Sequence, residues 1–165
     1  MVLVREVTAD DWGLMRDVRL SALAEAPYAF GSTYAGEVGF TEEKWRGRIS
    51  ERSVTFFAHD DADDSACPAT GIAGLAGVYV EDGAAHLVSM WVRPGFRGRG
   101  VGEALVEAAV SWAKEHDHET LFLWVTESNG PARRLYERCG FTPTGDRQPL
   151  PSDPALAEIW MSREL

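Results

Sequence analysis

The chain has 165 residues, 45% of them hydrophobic, with six Trp, seven Phe and four Tyr. This is enough for one packed core, short for two, and too apolar for a disordered chain. Twenty-six acidic residues against sixteen basic ones leave a formal net charge of −10, and the resulting long-range repulsion opposes docking on nucleic acid or an acidic membrane.

The N-terminal "VLVREVT" reads as a strand. Thr8 and Asp11 form a capping-box pattern for a helix carrying Trp12, Met15, Leu20 and Leu23, which ends before Pro27. "PYAFGSTYAGEVGF" has no clean period. Thr41 caps a predicted short helix to about Ser50, with Glu42 and Glu43 in its first turn. "SVTFFAHD" is β-branched and aromatic, hence a strand. "DDADDSACPA" reads as an exposed hairpin loop. "TGIAGLAGVYV" and "AHLVSMWV" are strands joined by the turn "EDGA". Val101, Leu105, Ala108, Ala109 and Trp112 recur at helical spacing. "TLFLWV" is a buried strand, "GPARRLYERC" a helix with Pro131 in its first turn, and "GFTPTG" and "LAEIWMSREL" close the chain as strands. The order is mixed, α/β or α+β, in one domain over residues 1–165.

Arg5 and Glu6 interrupt any signal-peptide pattern, and the longest apolar run, "GIAGLAGVYV", is too short to cross a bilayer. Cys67 and Cys139 form neither a metal-ligand spacing nor a disulfide framework. A cytoplasmic protein with free thiols and no metal is the expectation.

The exception to the acidic character is "RPGFRGRGVG". Arg93, Arg97 and Arg99 fall within seven residues, and glycines at 95, 98, 100 and 102 bare the backbone before a helix. Cations, exposed amides and a helix start together suit a phosphate. A Walker loop is a near miss: "GFRGRG" has the glycine spacing, but Val101 and Gly102 stand where Lys and Ser/Thr bind phosphate and magnesium, which weakens that reading. A dinucleotide fingerprint is weakened, because Glu103 stands where its third glycine should fall.

"WVRPGFRGRGVGEALV" resembles the acyl-CoA pyrophosphate loop of the GNAT N-acetyltransferase superfamily, with Arg97, Gly98, Arg99, Gly100, Val101 and Gly102 as its core. "LFLWVTESNGPARRLYERCGF" is similar to the family's later strand and helix, and contributes Asn129, Ala132, Tyr136 and the closing Gly-Phe. The resemblance implies a mostly antiparallel sheet of six to seven strands flanked by about four helices, with two strands splayed to admit the pantetheine arm. Backbone groups near Met90, Trp91 and Val92 would hold that arm and offer an N–H to the oxyanion, and Asn129 and Ala132 would contact it.

The implied reaction is direct acetyl transfer from acetyl-CoA to an amine. Tyr136 is the expected general acid, since a phenol with a pKa of about 10 stays protonated beside a departing thiolate. Some relatives carry a glutamate base eleven residues before the loop, and here that position is His86; a water relay is the alternative. Phe30, Tyr34 and Glu37 are the expected aromatic wall and anionic anchor of the acceptor site. The acceptor is expected to be a small primary amine. A protein N-terminus or lysine is one alternative, and a non-catalytic acyl-CoA sensor the other. Relatives often pair through their C-terminal strands, so a homodimer is also an expectation.

Overall fold

The computed structural model describes residues 1–50, 52–60 and 71–165, and among these seven strands form one sheet in the order β1-β2-β3-β4-β5-β7-β6. The strands are β1 Val2–Glu6, β2 Ser53–Asp60, β3 Ile72–Glu81, β4 Ala84–Val92, β5 Thr120–Thr126, β6 Thr142–Leu150 and β7 Asp153–Glu164. Every neighbouring pair is antiparallel except β4 and β5. The helices are α1 Trp12–Glu25, α2 Tyr34–Glu37, α3 Glu42–Arg46, α4 Val101–Glu115 and α5 Gly130–Arg138. None of these is long and apolar enough to cross a membrane. The expected "DDADDSACPA" loop, apart from Asp60, lies outside the described residues, as does Cys67.

Local chemistry accounts for the boundaries. The Thr8 amide donates to the Asp11 carboxylate at 2.8 Å, and a 3-10 turn over Ala9–Asp11 leads into α1. The Thr41 hydroxyl accepts from the Lys44 amide and caps α3. Asp82 and Gly83 both have positive φ, the geometry of a tight two-residue hairpin turn between β3 and β4. α3 is shorter than expected, because the chain passes into irregular turns after Arg46. The four-residue α2 carries too little periodicity to be read from sequence.

Alternation in the strands feeds two cores. On one face Val101, Leu105, Ala109 and Trp112 of α4, with Tyr136 of α5, pack over Phe56, Val78, Leu87, Leu121 and Leu123. On the other face Met15, Val18 and Leu23 of α1 and Trp45 of α3 pack on Phe57, Leu75 and Trp91. Each fully buried aliphatic side chain contributes about 1.5–3 kcal/mol.

Two irregularities interrupt the regular pairing of β4. Leu75 pairs with Trp91 and Gly77 with Val88, so Ala76 alone opposes both Ser89 and Met90: a β-bulge. Ser89 adopts φ +60, a left-handed conformation costing a non-glycine residue about 1–3 kcal/mol. The extra residue reverses the alternation. Ala85 and Leu87 face the α4 core and Met90 and Val92 pack on the same side, while Trp91 enters the α1 core. The second irregularity is that β4 and β5 pair only at Ala85–Leu121 and His86–Phe122. Beyond that point the two strands part.

Candidate active site

The parted strands open a cleft of about 440 Å³. Met90, Trp91 and Val92 form one wall, Trp124, Val125 and Thr126 face them, and Tyr136, Leu135 and Ala132 of α5 close one side. The chain after α1 supplies another side through Ala26, Tyr28 and Ala29. The Thr126 hydroxyl donates to the Tyr28 carbonyl at 2.6 Å, tying that segment to the end of β5.

Arg97, Gly98, Gly100 and Gly102 line the mouth, where α4 begins. Gly100 caps α4 at φ +83, a conformation that favours glycine, and a Cβ there would meet nothing within 4 Å. Bare backbone therefore faces open space at the positive end of a fifteen-residue helix. Gly102 has a different cause: a Cβ would lie 2.8 Å from Leu135 Cδ2, so it permits close packing of α4 on α5.

The three arginines are held in place. Arg97 donates to the Val92 carbonyl at 3.0 Å and pairs with Glu25 at 2.9 Å, and Glu25 also accepts from the Trp91 indole at 2.8 Å. Arg99 pairs with Asp60 at 3.6 Å, and Arg93 donates to the Ile72 carbonyl. Neither Arg93 nor Arg99 lines the cleft, and Val101 is buried in the α4 core. The other cation on the lining is Arg138, which pairs with Glu103 at 3.0 Å across the helix start. That contact, with the Glu103 backbone N–H, holds the Glu103 carboxyl below its usual range.

Asn129 lines the cleft and also caps α5, its side-chain oxygen accepting from the Ala132 amide at 3.4 Å. Tyr136 is buried, with its ring edge-on to Phe141. Burial, reinforced by neighbouring Cys139, pushes its phenol well above 10, so it stays protonated across the working pH range. Burial likewise pushes the Cys139 thiol up, aided by Glu103 and Glu107. That disfavours the thiolate a covalent acetyl-enzyme would need.

The remaining candidates lie elsewhere. His86 does not line the cleft; its ring stacks on Tyr79 at 4.9 Å and approaches Trp160 and Phe122. Burial lowers its pKa, partly offset by Glu81, leaving a neutral imidazole near pH 7. Phe30 is in the α1 core and Tyr34 is exposed on the surface. Glu37 is 0% exposed. It accepts two bonds from Arg19, at 3.2 and 3.0 Å, and pairs with Arg48 at 3.0 Å. Burial would raise its pKa, but the two guanidiniums and the Ser32 contact outweigh burial and hold it below the usual range. Arg19 also donates to the Ser89 hydroxyl at 3.0 Å. The anchor expected for an amine thus belongs to a buried ion network that pins the β4 bulge.

Sequence reasoning missed Arg19, Ser89, Trp124, Thr126 and Arg138. Arg19 left a signal: it stands in the Met15–Leu23 row at i, i+4 spacing, where a cation needs a buried partner.

Parted parallel strands beside a glycine-lined helix start are the α/β arrangement that the sequence resemblance implied. The chain belongs to the GNAT acetyltransferase family, whose family model matches residues 19–141. A Bacillus subtilis protein, provisionally named as the N-acetyltransferase of the alanine of ribosomal protein bS18, is 36% identical over 77 residues, 47% of this chain and 51% of that protein. Streptothricin acetyltransferase of Streptomyces lavendulae is 36% identical over 88 residues, 50% of this chain and 47% of the relative. The matched stretch thus spans about half the length of each of these relatives. A GCN5-related N-acetyltransferase structure from Kribbella flavida superposes with a TM-score of 0.74 at 24% identity, covering 99% of this chain and 98% of that one, and shows the shared fold.

Proposed function

We propose that the protein is an acetyl-CoA-dependent N-acetyltransferase that acetylates a small primary amine directly. The observation carrying this reading is one cleft shared by parted β4 and β5, the glycine-lined start of α4 and the protonated phenol of Tyr136.

The residues fit the donor in kind. Gly98, Gly100 and the first turn of α4 suit a pyrophosphate, and the unpaired edges of β4 and β5 suit the amides of an extended arm. In the reaction the amine nitrogen bonds to the acetyl carbonyl carbon and the carbon–sulfur bond breaks. Backbone N–H groups at Met90–Val92 meet the oxyanion, and Tyr136 gives its phenolic proton to the leaving sulfur. Among the described lining residues Glu103, tied to Arg138, is the one carboxylate, and there is no imidazole. The ammonium proton therefore leaves to water.

The relatives' names cover both a ribosomal-protein alanine and streptothricin as acceptors. We assign a small amine because the wall after α1 is closed down by local contacts: the Ser152 hydroxyl donates to the Phe30 carbonyl, joining this segment to the turn between β6 and β7. The test is thiol release from acetyl-CoA with a panel of amines. Release that depends on the amine supports transfer. Tight acetyl-CoA binding without release from any amine, peptides included, indicates a sensor instead.

A further inference from the structure

A second cavity, of about 170 Å³, lies between α1, α3 and the sheet. It is lined by Arg19, Arg48, Trp45 and Ser89, with Thr55 and Tyr79 among the sheet residues. Ser89 is the bulged residue of β4, and its neighbour Met90 lines the cleft. The two linings therefore meet at adjacent residues of β4.

The polar lining is biased toward donors. Among the described residues no Asp or Glu lines the cavity, although the chain has 26 of them. Among the described residues Glu37 is the one acid that pairs with these two guanidiniums, and it does not line the cavity. Arg48 also lies over the Trp45 ring, 4.9 Å from its centroid. Trp45 is 0% exposed, yet its indole N–H has no acceptor among the described residues. A buried donor left unpaired costs about 1–3 kcal/mol, so its retention in this wall needs a cause. A carboxylate seated on the Arg48 guanidinium, about a third of whose side chain is exposed, would meet a charged donor, and a small turn of the Trp45 ring that uncovers its N–H would let the same group satisfy that donor.

We propose that this cavity holds the carboxylate of the acceptor, so that the protein acetylates small amino carboxylates in preference to plain amines. The inference rests on the acetyl-transfer reading of the neighbouring cleft and names the substrate class for it. The cavity is smaller than the roughly 300–1,000 Å³ of a drug-sized site, which suits one small polar group. With the carboxylate beside Ser89, an amine one or two bonds away stands at the bulge, next to the backbone of Met90.

The experiment compares alanine, leucine and phenylalanine with ethylamine, isopentylamine and phenethylamine, and with the three amino acid amides. Thiol release from acetyl-CoA is the first readout. The second is the Trp45 indole N–H signal in a nitrogen–proton NMR spectrum of the acetyl-CoA-loaded protein, assigned by its loss in Trp45→Phe. Amino acids should exceed their amines and amides by about tenfold or more in kcat/KM, the size of one charge-assisted hydrogen bond. Arg48→Leu should abolish that preference. Trp45→Phe, which keeps the ring and loses the N–H, should reduce it severalfold. The Trp45 signal should move with alanine and stay still with ethylamine.

Turnover of amines and amides at the same rate as amino acids overturns the carboxylate site while leaving acetyl transfer standing. If no compound is turned over, the transfer reading fails, and the Trp45 signal decides the site: movement with amino acids supports it, and no movement overturns it.

Discussion

Replacing Glu37 by Gln removes the carboxylate at the centre of the buried ion network while nearly preserving its shape. Glu37 is fully buried, and the Arg19 side chain is 10% exposed. Breaking such a pair from one side leaves a buried cation uncompensated, which costs about 3–5 kcal/mol. The Arg48 contact is a third exposed and screened by solvent, so it adds little. Gln retains one acceptor for Arg19, which places the expected loss near the lower bound, about 3 kcal/mol. For a chain of this size that lowers Tm by about 6–12 °C. Adding Arg48→Leu removes the second cation and should restore part of the loss, a non-additivity that a double-mutant cycle reads directly.

The pH dependence has a definite sign. The folded Glu37 carboxyl titrates below its ordinary value of 4.5. Its contribution is therefore complete above about pH 4.5 and is lost as pH falls through the folded pKa. Thermal melts of the parent and Glu37→Gln should differ most at neutral pH and converge in acid. A Tm loss under about 2 °C at pH 7, or a gap that persists in acid, would refute the reasoning.

Tyr136→Phe should lower kcat by about a hundredfold, within the range of general-acid effects, while the calorimetric Kd for acetyl-CoA changes less than about threefold; unchanged turnover would remove the phenol from the chemistry. Gly100→Glu puts a side chain and a negative charge on left-handed backbone at the start of α4, so acetyl-CoA affinity should fall by more than about tenfold. Gly100→Asn tolerates that backbone without the charge and should lose less, and equal affinity in all three proteins would contradict the cradle. His86 stands in the aromatic row outside the cleft, so His86→Phe should leave kcat/KM within about threefold, whereas a large loss with a flattened pH profile would make His86 the base.

Much of the fold was legible because alternation and capping are local. The Thr8–Asp11 cap, the turn at Asp82–Gly83 and the helical row from Val101 to Trp112 are all written in neighbouring residues. The arginine–glycine segment was legible as a helix start with bare backbone, but its cations carried less information than their number suggested. Arg97 and Arg99 are committed to Glu25 and Asp60, partners 72 and 39 positions away in the chain. The β4 bulge was hidden, since a left-handed Ser89 is stabilised by Arg19 from another element. Its trace is that large apolar residues occupy both parities after Ser89, in "MWV". Glu37 stood out as an acid in an aromatic loop, but its two arginine partners come from α1 and the turn after α3, which only tertiary structure brings together.

Direct transfer is tested most sharply by a single turnover, with protein in excess over acetyl-CoA, followed by mass spectrometry of both protein and small molecules. Acetyl-CoA alone should leave the protein unmodified, and adding a competent amine should release free thiol and one equivalent of acetylated amine. An acetyl group found on Cys139, or consumption of acetyl-CoA with no acetylated amine, would contradict the account.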